Sequence, residues 1–265
     1  GGTGPHYYQD LYASPHQFDR IYLVSNTSQI SDDGGRTFRP TNTEHRHVDD
    51  HAIAFHPTDP DYIMYGSDGG LYVSYDNEAS WRFISNLPIT QFYDIAVDDS
   101  EPFYNVYGGT QDNSTQVGPS RTENRHGIRN SDWEIVVFAD GHEPDIEPGN
   151  PDIAYGSWQQ GNLVRFDRTT GEVVYIRAQP EPGEPGERYN WDAPLVVSSH
   201  QPTRLYHGSQ RVWRSDDRGD TWTAISEDLT RNQDRMLLPL MGRQWSWDAG
   251  WDIYAMSNYN TISAL

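Results

Sequence analysis

His47, Asp49 and His51 stand two residues apart. On an extended backbone that spacing points all three side chains to one side. Two imidazoles and a carboxylate so placed can hold Zn2+ or another divalent ion with one position left open, or they can hydrogen-bond neighbouring loops. A second chemistry needs carboxylates in pairs. Glycoside hydrolysis uses one as acid and the other as base or nucleophile, and their separation sets the stereochemistry. Asp49, Asp112 and Asp140 are the catalytic candidates, with Asp68, Glu143 and Asp192 beside them. The chain carries 39 acids, so the presence of several such groups decides little by itself. It has no glycine-rich phosphate loop, nucleophile elbow or Ser-His-Asp signature, and no calcium loop of EF-hand type.

The elements that must position these residues are written in a repeat. A proline, a few residues, an aromatic-rich run and a small residue recur: Pro60 to Tyr65-Gly66, Pro102 to Tyr107-Gly108, Pro151 to Tyr155-Gly156 and Pro202 to His207-Gly208. A weaker copy runs from Asp19 to Val24-Ser25. A period of about 40–50 residues built from short strands predicts an all-β fold, a β-propeller of four-stranded antiparallel blades. Five blades and the start of a sixth, at Trp251 to Ser257, are expected within the 265 residues, which read as an incomplete propeller over 1–265 belonging to a longer chain. The remaining blades of that chain would then be partners of this one. Only Glu227 to Leu238 suggests a short helical turn.

Composition narrows the partners. Net charge is −20, and all 19 basic residues are arginine. Such a surface repels nucleic acid and anionic membrane, so neither is expected as a partner. No run of 18 apolar residues is present, so no membrane insertion is expected. The absence of cysteine rules out disulfides and thiolate metal sites within the sequence.

A turn accompanies the repeat: Ser31-Asp32-Asp33-Gly34-Gly35-Arg36-Thr37-Phe38, Ser74-Tyr75-Asp76-Asn77-Glu78-Ala79-Ser80-Trp81 and Ser215-Asp216-Asp217-Arg218-Gly219-Asp220-Thr221-Trp222. Asp33, Asp76 and Asp217 can accept backbone N–H groups further along and close the turn. Gly35 and Gly219 supply a positive φ. Glu78 occupies that position in the second copy, which predicts a distorted turn there. Thr37, Trp81, Thr221 and Trp222 restart the strand. A fourth version, Arg165 to Gly171, keeps only Asp167 and a shifted glycine.

This turn resembles the Asp-box (BNR) repeat of sialidases, sortilin-type Vps10 propellers and xyloglucanase-like glycosidases. Further stretches, His47–Ala52, Gly66–Gly70, Asn86–Tyr93, Gly108–Asn113, Gly127–Trp133, Asn190–Pro194 and Ser257–Leu265, are similar to large secreted bacterial proteins of the glycosyl hydrolase-like or sortilin/Vps10-like kind. The resemblance implies a secreted, periplasmic or cell-surface location. A sialidase would carry an Arg-Ile-Pro motif, and Arg20-Ile21-Tyr22 lacks the proline. A xyloglucanase-like enzyme would place two acids in a cleft between two propellers.

Strand direction alternates within a blade, so the Ser-x-Asp turn and the loop between the first two strands share one side. The opposite, front side holds the segments leading into each first strand and the loops after each second strand. It gathers Asp68, Gln111, Asn113, His142, Glu143, Trp158, Gln159, Arg188, Asn190, Trp191 and Asp192 as ligand-binding candidates. Two long insertions, Gln116 to Asp132 and Gln179 to Glu187, read as exposed loops able to rim a groove. The expectation is a module that binds a peptide, protein or glycan on its front side. The alternatives are a glycoside hydrolase or an architectural subunit of an envelope assembly. No cofactor is specified, a divalent metal at His47, Asp49 and His51 being the one candidate.

Overall fold

The computed structural model describes residues 10–87, 89–249 and 257–265. The strand-like run at Trp251 to Met256 lies outside them. The chain divides into two compact units, Gly1–Ile89 and Thr90–Leu265. The all-β expectation holds: the described strands form five four-stranded antiparallel sheets of propeller-blade type, each with its strands in chain order.

The first unit holds two blades. One comprises β1 (Asp10–Ala13), β2 (Ile21–Val24), β3 (Gln29–Ser31) and β4 (Arg39–Pro40). The other comprises β5 (Asp50–Phe55), β6 (Ile63–Ser67), β7 (Gly70–Ser74) and β8 (Arg82–Phe83). They share a core of Tyr22, Val24, Ile30, Ile53, Ile63 and Tyr65, with Phe55 and Trp81 against it. Alternation along each strand explains this: every second residue faces the neighbouring sheet.

The second unit holds three blades. The first has β9 (Ile95–Val97), β10 (Asn105–Thr110), β11 (Ser114–Pro119) and β12 (Glu134–Val137). The second has β13 (Pro144–Ile146), β14 (Ile153–Trp158), β15 (Asn162–Asp167) and β16 (Glu172–Tyr175). The third has β17 (Leu195–Val197), β18 (Leu205–Gly208), β19 (Val212–Ser215) and β20 (Thr223–Ala224). Tyr107, Val117, Val137, Ile146 and Phe166 fill the space between the first two of these blades. Tyr155, Leu163, Ile176, Leu195 and Leu205 fill the space between the last two.

The repeated proline-to-aromatic phrase is the second strand of each blade: β6, β10, β14 and β18, with β2 as the weaker copy. Its terminal ring faces the core, so Tyr65, Tyr107, Tyr155 and His207 are buried. The only helical turns among the described residues are 3-10 turns at Asn130–Asp132 and Arg235–Leu237. The second falls inside the segment where a helical turn is expected.

The Ser-x-Asp turns join the third and fourth strands. Asp33 accepts from Arg36 N (2.9 Å), Thr37 N (2.9 Å) and Thr37 Oγ1 (2.7 Å). Asp217 accepts from Thr221 N (2.8 Å) and Thr221 Oγ1 (2.6 Å). Ser31 and Ser215 hydroxyls accept from Gly35 N and Gly219 N. The turn at Ser74 is not distorted. Asp76 accepts from Ser80 N and Oγ, and Glu78 N donates to Ser74 Oγ at 2.9 Å. Glu78 reaches this geometry by adopting φ 70°, where the other copies have Gly35 at 87° and Gly219 at 90°. The turn aromatic then reaches the preceding blade: Trp81 Nε1 donates to Asn42 O (2.8 Å) and Trp222 Nε1 to Ile176 O (2.6 Å).

Each turn also bonds the loop between its blade's first two strands. Gly34 N donates to Asp19 O, Asn77 N to Asp61 O, Arg168 N to Asp152 O and Arg218 N to Thr203 O. That fixes the Ser-x-Asp turns on the back of the blades that carry them. The insertion between β11 and β12 replaces the turn in its blade. It begins at Ser120, because Gln116–Pro119 belongs to β11.

Candidate functional site: the front side of the blades

In the first unit the expected row of His47, Asp49 and His51 does not form. Asp49 has φ 60°, which breaks the extended alignment. His47 Nδ1 turns onto Val48 O at 2.7 Å, and His51 Nε2 sits 2.7 Å from Asp68 Oδ1. Asp49 Oδ1 accepts from the Asn26 amide. The lead-in is held instead by an ion pair that pattern reading missed. Arg46 and Asp50 have fully buried side chains and bond one another. Ser28 Oγ donates to Asp50 Oδ2 (2.6 Å), Arg46 Nη2 donates to Thr41 Oγ1 (3.1 Å), and the guanidinium lies 4.7 Å from the Tyr65 ring.

In the second unit the front residues do converge. Asp112 N donates to Asp140 Oδ1 at 2.8 Å, and the Gln159 amide donates to Asp140 Oδ2. Burial, followed by the Asp112 carboxyl, raises Asp140 above the ordinary carboxylate range despite the backbone N–H it accepts. Tyr93 OH donates to Gln111 Oε1.

His142 is completely buried one step behind this group. Its ring lies 4.7 Å from Tyr93 and 6.0 Å from Trp191, and its Nδ1 is 3.3 Å from Asp192 Oδ1. Neither ring nitrogen makes a hydrogen bond. Close backbone packing seats it. A Cβ on Gly109 would stand 2.0 Å from His142 O, and one on Gly141 would stand 2.7 Å from Ser114 O.

Glu143 follows. Its Oε2 accepts from Leu195 N at 2.7 Å. Burial pushes its carboxyl up to about 7, with Asp192, Asp94 and Asp145 adding to the rise. Asp145 is likewise raised, first by burial, although it accepts from Val197 N and Ile146 N.

Other candidates are structural. Trp158 ends β14 and packs against Tyr175 and the core between blades. Asn113 Nδ2 donates to Gln111 O (3.0 Å). Arg188 pairs with Asp228 at 2.6 Å. Asn190 bonds Thr261 and Ser257, and Trp191 N donates to Ser257 Oγ, so residues 257–262 clasp this lead-in. Glu187, at the end of the Pro/Gly/Glu loop, was not legible as an anchor. It pairs with Arg211 and accepts from Ser209 Oγ (2.6 Å) and Trp213 Nε1 (3.2 Å). Burial alone would raise it, but these bonds hold it below the usual range.

No known family profile and no curated protein matches the chain. Solved structures similar to it include the GH74 enzyme of Niastella koreensis, at 13% identity and TM-score 0.35, covering 82% of this chain and 38% of that one. They include the GH74 xyloglucanase from Xanthomonas campestris, at 18% identity and TM-score 0.37, covering 86% of this chain and 39% of that one. YCF48 bound to D1 peptide is similar at 12% identity and TM-score 0.35, covering 78% of this chain and 64% of that one. The chain thus spans about two fifths of each of those two GH74 enzymes and under two thirds of YCF48. These likenesses assign no role to any residue.

Proposed function

We propose that the chain is a propeller-type binding module whose front side takes a peptide, protein or glycan. The observation that carries this reading is the state of the second unit's carboxylates. Asp112 is tied to Asp140 through its backbone N–H, and Asp140, Glu143 and Asp145 each accept backbone N–H groups. Carboxylates held by backbone N–H groups beside Tyr93 and Trp191 make a fixed polar surface suited to binding. The back turns have the residues and bonding of Asp-box turns, which supports membership of that repeat family and, with it, a secreted, periplasmic or cell-surface location.

One observation favours a second reading. Burial pushes the Glu143 carboxyl up to about 7, the range of a general acid. Calorimetry on peptide and oligosaccharide panels, with product analysis of every oligosaccharide, separates the two. Binding without turnover is expected. Release of reducing sugar that is lost in Glu143→Gln, Asp140→Asn or Asp112→Asn would replace the binding reading with the hydrolase.

A further inference from the structure

The front of the second unit gathers acids, and among the described residues none of Asp94, Asp140, Glu143, Asp145 and Asp192 is ion-paired with an arginine. Asp94, Asp140, Glu143 and Asp145 accept from backbone N–H groups and, at Asp140, from the Gln159 amide. Among the described residues every ion-paired arginine serves another acid. The carboxyls repel one another: Asp94, Asp145 and Asp192 act on Glu143, and Asp112 acts on Asp140.

His142 points into this group. It is fully buried, its Nδ1 approaches Asp192 Oδ1 at 3.3 Å, and both its nitrogens lack hydrogen bonds. The other fully buried histidine differs. His207 places its nitrogens 3.0 Å from Pro194 O and 3.1 Å from Gly161 O. A fully buried imidazole that makes no hydrogen bond and has only the Asp192 carboxylate beside its Nδ1, among acids that no arginine pairs, marks a functional site and not a packing solution.

The ligand class follows from geometry. Among the described residues, the ligand atoms of His142, Asp140, Glu143 and Asp192 do not converge tightly enough to hold a metal ion. Two aromatic side chains, Tyr93 and Trp191, flank the His142 ring at 4.7 and 6.0 Å, and Tyr93 is 43% exposed. Carboxylates with aromatic faces suit an organic cation. The chain contains no lysine that could fill the place from within.

We propose that this front captures a cationic side chain of a peptide, a lysine ammonium or arginine guanidinium, against Tyr93 and Trp191, with Asp140 and Asp192 as counter-charges. This rests on the binding reading above and names its ligand.

The test is calorimetry on the whole chain with end-capped hexapeptides bearing a central lysine or arginine. The controls carry acetyl-lysine or citrulline there, and a neutral oligosaccharide and calcium chloride are titrated separately. The charged peptides are expected to bind at least about tenfold more tightly than the neutral ones, and more weakly as salt rises. Asp192→Asn should remove most of that preference, and Tyr93→Phe, which preserves the ring, should keep it. Unchanged melting curves verify that both variants fold. If Asp192→Asn does not fold, Trp191→Phe replaces it, with a loss of about threefold or more expected. Equal affinity for charged and neutral peptides overturns the cation inference and leaves the binding reading intact, as does binding of the oligosaccharide alone. Calcium binding lost in Asp192→Asn overturns it in favour of a metal. No binding by any probe overturns both readings.

Discussion

The backbone N–H of Asp112 donates to Asp140 Oδ1 across 2.8 Å, tying the loop after β10 to the lead-in of the next blade. Asp140 also receives the Gln159 amide from the loop of its own blade. One carboxylate therefore fastens front loops from two blades. Asp140→Ala should cost about 1–3 kcal/mol, the penalty for orphaning part-buried donors. Amide hydrogen exchange checks this locally: Asp112 N–H should exchange faster in the variant, while Tyr155 N–H in β14 should not change.

Glu78 predicts a pH dependence in the first unit. It is 6% exposed, and neither carboxylate oxygen has a hydrogen-bond partner. Burial pushes its carboxyl up to about 7 against an ordinary 4.5, with Arg39, Arg46 and Arg20 offsetting part of the rise. The native state then holds its proton more tightly than the unfolded chain. Its contribution to stability is full below pH 4.5 and is lost as pH rises through 7. Glu78→Gln should abolish this fall. Glu78→Gly, which also suits φ 70°, should be the more stable protein at pH 8 by roughly 1–3 kcal/mol. Urea unfolding at pH 5 and pH 8 measures both, and parallel behaviour of wild type and Glu78→Gln would refute the assignment.

The back turns predict a graded series. Ser215 is buried, and its hydroxyl accepts from Gly219 N (2.8 Å) and donates to Asp217 (2.8 Å). Ser215→Ala should cost about 1–2 kcal/mol, and Ser74→Ala should cost a similar amount. Neither should alter affinity for a front-side ligand. Denaturation and binding measured on the same preparations check both statements.

Arg46 and Asp50 predict strong asymmetry. Removing one partner leaves the other charge buried, so Asp50→Asn or Arg46→Met should each cost about 3–5 kcal/mol. The double variant should cost less than the sum of the two. A double-mutant cycle in urea supplies the coupling, and additivity would contradict the buried pair.

The blades were legible in the sequence because strands keep a period of two and the repeat marks one strand in each. The Ser-x-Asp turns were legible because their bonds are local. The front side was legible in membership but not in geometry. His47, Asp49 and His51 would align only on extended backbone, and the left-handed Asp49 removes that condition. Trp158 looked like a loop platform, but the core shared with the preceding blade and Tyr175 claim it. The burial of His142 depends on the close approach of Gly109 from another strand, which no local pattern records.

The central claim is that ligand meets the front side and not the Ser-x-Asp turns. Hydrogen-exchange footprinting of the whole chain with a saturating lysine- or arginine-centred hexapeptide tests it most directly. Protection is predicted in residues 91–94, 140–143 and 188–192, with 215–221 unchanged. Protection confined to the turns at 31–37, 74–80 and 215–221 would contradict it.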